Sequence, residues 1–226
     1  MRALGLNEFS QYYDYLNKNP EELKKLLNTI TINLSYFFRN FETFEYIRTD
    51  ILPEFAKNEK VILWSAGCAQ GEEAYSLAMI ASETAIIEKT IIYATDIDDD
   101  ALNKAEQGIY PITAFQYTPS EYLKKYFVKY NGDYKIKDNI KSIVKFFHLD
   151  LFDNFPHGPC DLIMCRNVLI YMSRDAQSEL VRRFYETLRP GGYLVIGKVE
   201  LLLGIPEAKF FNIVNRTERV YQKIAL

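Results

Sequence analysis

Residues 60–73 read Lys60-Val-Ile-Leu-Trp-Ser-Ala-Gly-Cys-Ala-Gln-Gly-Glu-Glu73. The run Val61-Ile62-Leu63-Trp64 is short and apolar throughout, as in a strand buried on both faces of a parallel sheet. Gly67 and Gly71 then allow the backbone to turn sharply and to approach a ligand with no Cβ in the way. A helix starts near Glu72. Strand, glycine turn and helix start together make a cofactor cradle. Such turns serve NAD, flavin, nucleotide and S-adenosylmethionine (SAM) sites alike, so this stretch points to an architecture and leaves its ligand open.

The same alternation extends outward. A helix over 72–87 leads to a second strand, Thr90-Ile-Ile-Tyr-Ala-Thr-Asp96, with a carboxylate at its tip, where dinucleotide and SAM folds hold ribose hydroxyls. Further strands follow at 143–150 and at Cys160-Asp-Leu-Ile-Met-Cys-Arg-Asn167. A helix over 174–189 carries an apolar face of Leu180, Phe184 and Leu188, and Pro190-Gly191-Gly192 stops it before a strand at 193–197. Two last strands, near 210–214 and 219–223, face each other across Asn215-Arg216-Thr217-Glu218 as a hairpin.

Upstream, residues 7–17 space Phe9, Tyr12, Tyr13 and Leu16 for one helical face. Asn19-Pro20-Glu21-Glu22 opens a second helix with Leu23, Leu26, Leu27 and Ile30 as its stripe, and a helix over 41–55 turns Phe44, Ile47, Ile51 and Phe55 inward. Between 106 and 145, Gly108, Pro111 and Pro119 interrupt the alternation, and Asn131-Gly132-Asp133 is a turn between short strands. The predicted organisation is α/β: a doubly wound sheet over 57–226, preceded by a short helical segment, 1–56, and carrying a small inserted α+β subdomain, 106–145. A C-terminal hairpin closing such a sheet favours the Rossmann-like fold of SAM-dependent methyltransferases over the NAD-binding variant.

Composition narrows the function. At 226 residues and 48% hydrophobic, the chain can bury one sizeable core plus a small accessory piece. No stretch approaches the ~18 unbroken apolar residues of a membrane span, and the N-terminus lacks a secretory pattern, so no membrane insertion and a cytoplasmic location are expected. Cys68, Cys160 and Cys165 are odd in number and without framework spacing, so they are expected as reduced thiols. The formal net charge of −3 argues against whole-surface nucleic-acid binding. Its distribution is uneven: seven lysines against three acids between Ser120 and Lys145 leave that segment at +4 and the rest at −7. That excess reads either as a solvated face or as a docking surface for an acidic partner. No metal is expected. Asp96, Asp98 and Asp100 mimic half of a calcium loop, but Ala101 and Gln107 occupy its required Gly and Glu positions. His148, His157, Cys160, Asp161 and Cys165 match no zinc spacing.

Several motifs together resemble the CheR-type chemotaxis receptor methyltransferases: Thr31-Ile-Asn33, Phe37-Phe38-Arg39, Ser65 to Glu73, Ala94-Thr-Asp96-Ile-Asp98, Gly108-Ile-Tyr110, Cys165-Arg-Asn-Val-Leu-Ile-Tyr171 and Leu188-Arg-Pro-Gly-Gly192. They run in family order from about residue 20 to the C-terminus. The resemblance implies a monomeric enzyme that methyl-esterifies glutamates on the cytoplasmic helices of a chemotaxis receptor, its partner, with SAM as cofactor and S-adenosylhomocysteine as product. It implies cofactor contacts from Asn33, Ser35 and Arg39, from Gly67, Glu72 and Glu73, from a ribose-binding Asp96, from Asp150 and Leu151 near the adenine, and from Arg166 and Asn167 beneath the methionine portion. Arg39 and Tyr171 would flank the reacting methyl as catalytic residues; Tyr171 also reads as a core tyrosine, because Val168, Leu169 and Ile170 before it are apolar. The chain departs from the family at Ala69-Gln70, where Ser-Thr is usual, at Ala74 for proline, at Lys198-Val199-Glu200 for a His-Ser-Glu type sequence, and in its short N-terminal part. Two alternatives stay open: a SAM-binding or receptor-docking module without turnover, and a methyltransferase for another substrate such as RNA.

Overall fold

The strands of the larger sheet are β1 (Val61–Ala66), β2 (Thr90–Asp96), β6 (Val144–His148), β7 (Cys160–Cys165), β8 (Leu188–Ile196), β9 (Phe211–Asn215) and β10 (Val220–Lys223); those of a smaller sheet are β3 (Ile109–Tyr110), β4 (Phe127–Tyr130) and β5 (Asp133–Ile136). In this computed structural model, residues 4–6, 8–23, 26 and 35–224 are described. The larger sheet has the order β6-β2-β1-β7-β8-β10-β9. Its first five strands are parallel, and β10 and β9 add antiparallel pairs at one edge.

Along β1 and β7 every side chain is buried, as the unbroken apolar run of a central parallel strand requires. Alternation then divides the strand between two core layers. Val61 and Leu63 face the layer built with helix α3 (Glu72–Ser82). Ile62, Trp64 and Ala66 face the layer built with helix α7 (Arg174–Thr187), through Leu180, Val181 and Phe184. Helix α3 is buried almost all round, from Ala74 to Ala81. It ends at Ser82, short of the expected 87, and Ile87–Lys89 forms a separate 3₁₀ turn.

The contacts divide the chain into two units, Met1–Leu34 and Ser35–Leu226. In the first, α1 (Phe9–Lys18) is helical as expected, but none of its residues is buried, and Phe9 and Tyr13 are exposed. Leu27 and Ile30 lie outside the described residues. In the second, α2 (Phe41–Tyr46) continues as a π-helical turn, Ile47–Ile51, and a 3₁₀ turn, Leu52–Lys57. Pro53, which has no N–H to give a helix ladder, opens that last turn. Phe44, Ile47, Ile51 and Phe55 point into the core as the spacing predicts.

Helix α4 (Asp99–Gln107) packs on β2 and β6 of the larger sheet. The segment expected as an α+β insertion follows it, with helices α5 (Ser120–Tyr126) and α6 (Asp138–Lys141) accompanying an antiparallel sheet of order β3-β5-β4. Asn131 and Gly132 both take positive φ, 48° and 90°, as a tight hairpin demands. Its aromatic nucleus receives Phe37, which stacks on Phe115 at 4.9 Å and meets Phe127 and Tyr110 edge-on.

Candidate active site

Strand order reverses between β1 and β7, so the crevice beyond their carboxyl ends is the topological switch point where open α/β sheets bind ligands. The turn after β1 is held there because the amides of Gly67 and Cys68 both donate to the Thr95 carbonyl at 2.9 Å. Gly67 and Gly71 have φ of +79° and +88°. A Cβ on Gly67 would lie 2.6 Å from Val168 Cγ2, and one on Gly71 would lie 2.9 Å from Ala105 Cβ. On the side where a Cβ would point, these glycines are therefore backed by protein side chains, so the turn leaves no room for a larger residue there. Ala69 sits at φ +48° without being glycine.

Three carboxylates face the crevice. Asp96, at the tip of β2, accepts from the Ala69 amide at 2.7 Å and the Asp98 amide at 3.0 Å; burial raises its pKa, and these backbone donors oppose the rise. Asp98 caps α4 by accepting from Asp100 and Ala101. The Leu149 amide donates to the Asp96 carbonyl at 3.1 Å, which brings the Asp150-Leu151 loop alongside. Asp150 accepts from the Phe152 amide at 2.9 Å, and Leu151 packs on the second core layer. Glu72 and Glu73, in the first turn of α3, are both pushed up to about 7 by burial. Hydrogen bonding to Ser35 opposes the shift at Glu72; Arg166 and Ser65 oppose it at Glu73.

Arg166, just beyond β7, is buried. Its guanidinium lies 3.8 Å from Glu73, donates to Asn40 Oδ1 at 2.6 Å and covers the Phe44 ring at 5.7 Å. Asn167 takes φ +60°, a region asparagine tolerates better than most residues. Its amide donates to Glu200 at 3.0 Å. The Phe37-Phe38-Arg39 segment is locked from both ends: Phe38 N donates to Ser76 Oγ at 3.0 Å, and Phe38 and Asn40, at φ +54° and +60°, flank Arg39 in left-handed backbone. Non-glycine residues in that region store strain and gather at functional sites. Arg39, Asn40, Phe41, Glu42, Tyr117, Asn167, Lys198 and Val199 line one cavity of about 460 Å³.

The structure thus brings Arg39 and Asn167 to one cavity and Gly67, Glu72, Glu73, Asp96, Asp150, Leu151 and Arg166 to the crevice or its walls. Asn33 lies outside the described residues. Tyr171 is 56% exposed in the short turn Leu169–Tyr171, which excludes its reading as a core residue. Sequence reasoning missed Glu200, a buried carboxylate that joins β8 to the loop after β7, and Asn40, the partner of Arg166. An acid following the fifth parallel strand was the available signal for the first. Asp161, considered only as a metal ligand, is fully buried and accepts from the Ile62 amide, Asn58 and Arg189 at 2.7, 2.8 and 3.0 Å.

Among the described residues, three side-chain atoms are buried without hydrogen-bond partners: Arg189 Nε near the start of β8, and Glu72 Oε2 and Arg166 Nε at the crevice. An orphaned polar atom of this kind costs about 1–3 kcal/mol, which a polar ligand relieves. An acceptor and a donor of this sort, with a carboxylate at the tip of β2, suit a cofactor carrying hydroxyl, ammonium and carboxylate groups.

Fold and site define a SAM-dependent methyltransferase. The family model described as the CheR methyltransferase SAM-binding domain matches residues 33–220, and that of the CheR all-alpha domain matches residues 1–31. The chain belongs to the CheR methyltransferase family, and its cofactor is SAM, with S-adenosylhomocysteine as product. It is 34% identical over 220 residues to a chemotaxis protein methyltransferase of Borreliella burgdorferi, covering 90% of this chain and 77% of that relative. It is 33% identical to one of Salmonella typhimurium, covering 88% and 72%, and 36% identical to one of Vibrio anguillarum, covering 84% and 72%. No helix among the described residues is long and apolar enough to cross a membrane.

Proposed function

We propose that this methyltransferase esterifies glutamate side chains on the cytoplasmic helices of a chemotaxis receptor, the reaction of receptor adaptation. The cavity carries the reading: Arg39 and Lys198 against one acid, Glu42, leave its lining cationic on balance beside Asn167, as an anionic acceptor requires. SAM supplies a methyl activated on its sulfonium, and a carboxylate already ionised at neutral pH accepts it with no proton to remove. What the chain must provide is position and partial desolvation. Arg39, fixed between two left-handed residues, orients the acceptor carboxylate, and Tyr171 stands on the opposite flank. Asp96 accepts from the ribose hydroxyls, Asp150 and Leu151 border the adenine, and Glu72, Glu73, Arg166 and Asn167 hold the methionine end; Ser35, Asn33 and Gly67 complete the set.

The proposal takes residues 1–56 as an N-terminal helical segment, 57–226 as the methyltransferase domain and 106–145 as its inserted subdomain, in a monomer that works in the cytoplasm. It is tested by transfer of radiolabelled methyl from SAM to a receptor cytoplasmic fragment. Alkali-labile label released as methanol is expected. Alkali-stable label, or label on RNA, contradicts the assignment, and tight SAM binding with no transfer would favour a module without turnover.

A further inference from the structure

Two loops at the cavity mouth, residues 167–173 after β7 and 197–205 after β8, are locked to each other. The buried Glu200 carboxylate accepts from the amides of Gly197 at 2.5 Å, Asn167 at 3.0 Å and Ile170 at 3.4 Å. Arg174 donates to the Leu203 carbonyl at 3.1 Å, and Gln177 to the carbonyls of Leu169 and Met172 at 2.9 and 3.2 Å. Leu202 and Ile205 are buried and anchor the second loop in the core. These anchored loops nevertheless expose Ile170, Tyr171, Val199, Leu201 and Leu203, with Val199 74% and Leu203 77% accessible. Single exposed apolar residues are ordinary, but five on two mutually bonded loops beside a candidate active site mark an interaction surface.

We infer that these loops form an apolar docking rim for the amphipathic helix that carries the acceptor, gripping an apolar side chain one helical turn from the acceptor glutamate. The inference rests on the glutamate reading above and extends it to substrate selection. Val199 joins rim to cavity, since it lines the cavity with Arg39 and Lys198 while remaining exposed. Lys198 lies 3.1 Å from Glu218 and 3.7 Å from Glu42, so its charge is compensated within the chain and the rim meets its partner through apolar side chains. On a helix, residues three and four apart share a face at about 5–6 Å, so a glutamate reaching into the cavity presents its i±3 and i±4 neighbours to the surrounding rim.

The test uses the full chain and a receptor cytoplasmic fragment, reading methanol-releasable label. Leu203→Asp and the milder Leu203→Ser, at a side chain too exposed to support the core, are compared with wild type; SAM affinity by calorimetry controls for folding. The expected result is a KM for the fragment raised about tenfold or more in Leu203→Asp and about threefold in Leu203→Ser, with kcat and SAM affinity within twofold of wild type. Unchanged KM in both variants overturns the rim. Unchanged KM together with loss of a wild-type dimer on gel filtration would overturn it in favour of a second copy of the chain as occupant. Absence of ester label with the wild-type chain would instead sink the glutamate reading, and the rim with it.

Discussion

Replacing Gly67 with alanine tests the geometry of the switch point. At φ +79° an alanine pays about 1–2 kcal/mol for left-handed backbone. The added Cβ lies 2.6 Å from Val168 Cγ2, well inside carbon contact, and forcing such a group into a packed site costs about 1–3 kcal/mol. The sum is about 2–5 kcal/mol of folding stability, which for a chain of this size lowers Tm by roughly 5–15 °C. Val168→Ala removes the opposing methyls and by itself costs about 1 kcal/mol at a partly buried position. In the double variant the clash is gone while the backbone cost stays. A double-mutant cycle by urea unfolding should therefore show a favourable coupling of about 1–3 kcal/mol. Additive losses would refute the reasoning, and so would unchanged stability accompanied by a loss of SAM affinity, which would place the constraint on this glycine at the ligand instead of at Val168.

Asp96→Ala should weaken SAM binding by about 1–3 kcal/mol through loss of charge-assisted hydrogen bonds; an unaltered affinity by calorimetry would show that the ribose contact is misplaced. Asp161→Ala, which leaves Arg189 and the Ile62 amide without their buried acceptor, should cost about 3–5 kcal/mol in urea unfolding, and a loss under 1 kcal/mol would rule out its role as an anchor. Glu72 and Glu73 stand near 7 against a usual value of 4.5 because burial penalises their charge. The folded chain keeps protons that the unfolded chain gives up above pH 4.5, so their contribution is greatest below that pH and is lost as pH rises through about 7, by roughly 3 kcal/mol for each group. Glu72→Gln should remove about half of this slope between pH 4.5 and 7, and parallel stability curves for variant and wild type would contradict it.

Several features were legible in the amino-acid order because the forces behind them act over a few residues. The unbroken apolar runs of β1 and β7 require a sheet covered on both faces. Asn131-Gly132 and Asn215 to Glu218 carry the local stereochemistry of hairpins: Asn215 Oδ1 accepts from the Thr217 and Glu218 amides at 3.1 and 3.0 Å. A carboxylate ending β2 and an Arg-Asn pair ending β7 marked the strand tips. Other features depend on segments far apart in the chain. Nothing near Gly67 announces Val168 as the side chain beside it, and nothing near Glu200 announces the amides of Asn167 and Ile170. The early end of α3 and the π-helical turn after α2 depend on how those segments meet the rest of the fold, which helical periodicity does not register. Glu72 and Glu73 are identical letters in sequence, and only burial raises them together, against Ser35 for one and Arg166 for the other. The sequence by itself determined the strands, turns and carboxylate positions; tertiary structure alone decided which of them share a cavity, because desolvation and long-range hydrogen bonds exist only once the chain has crossed itself.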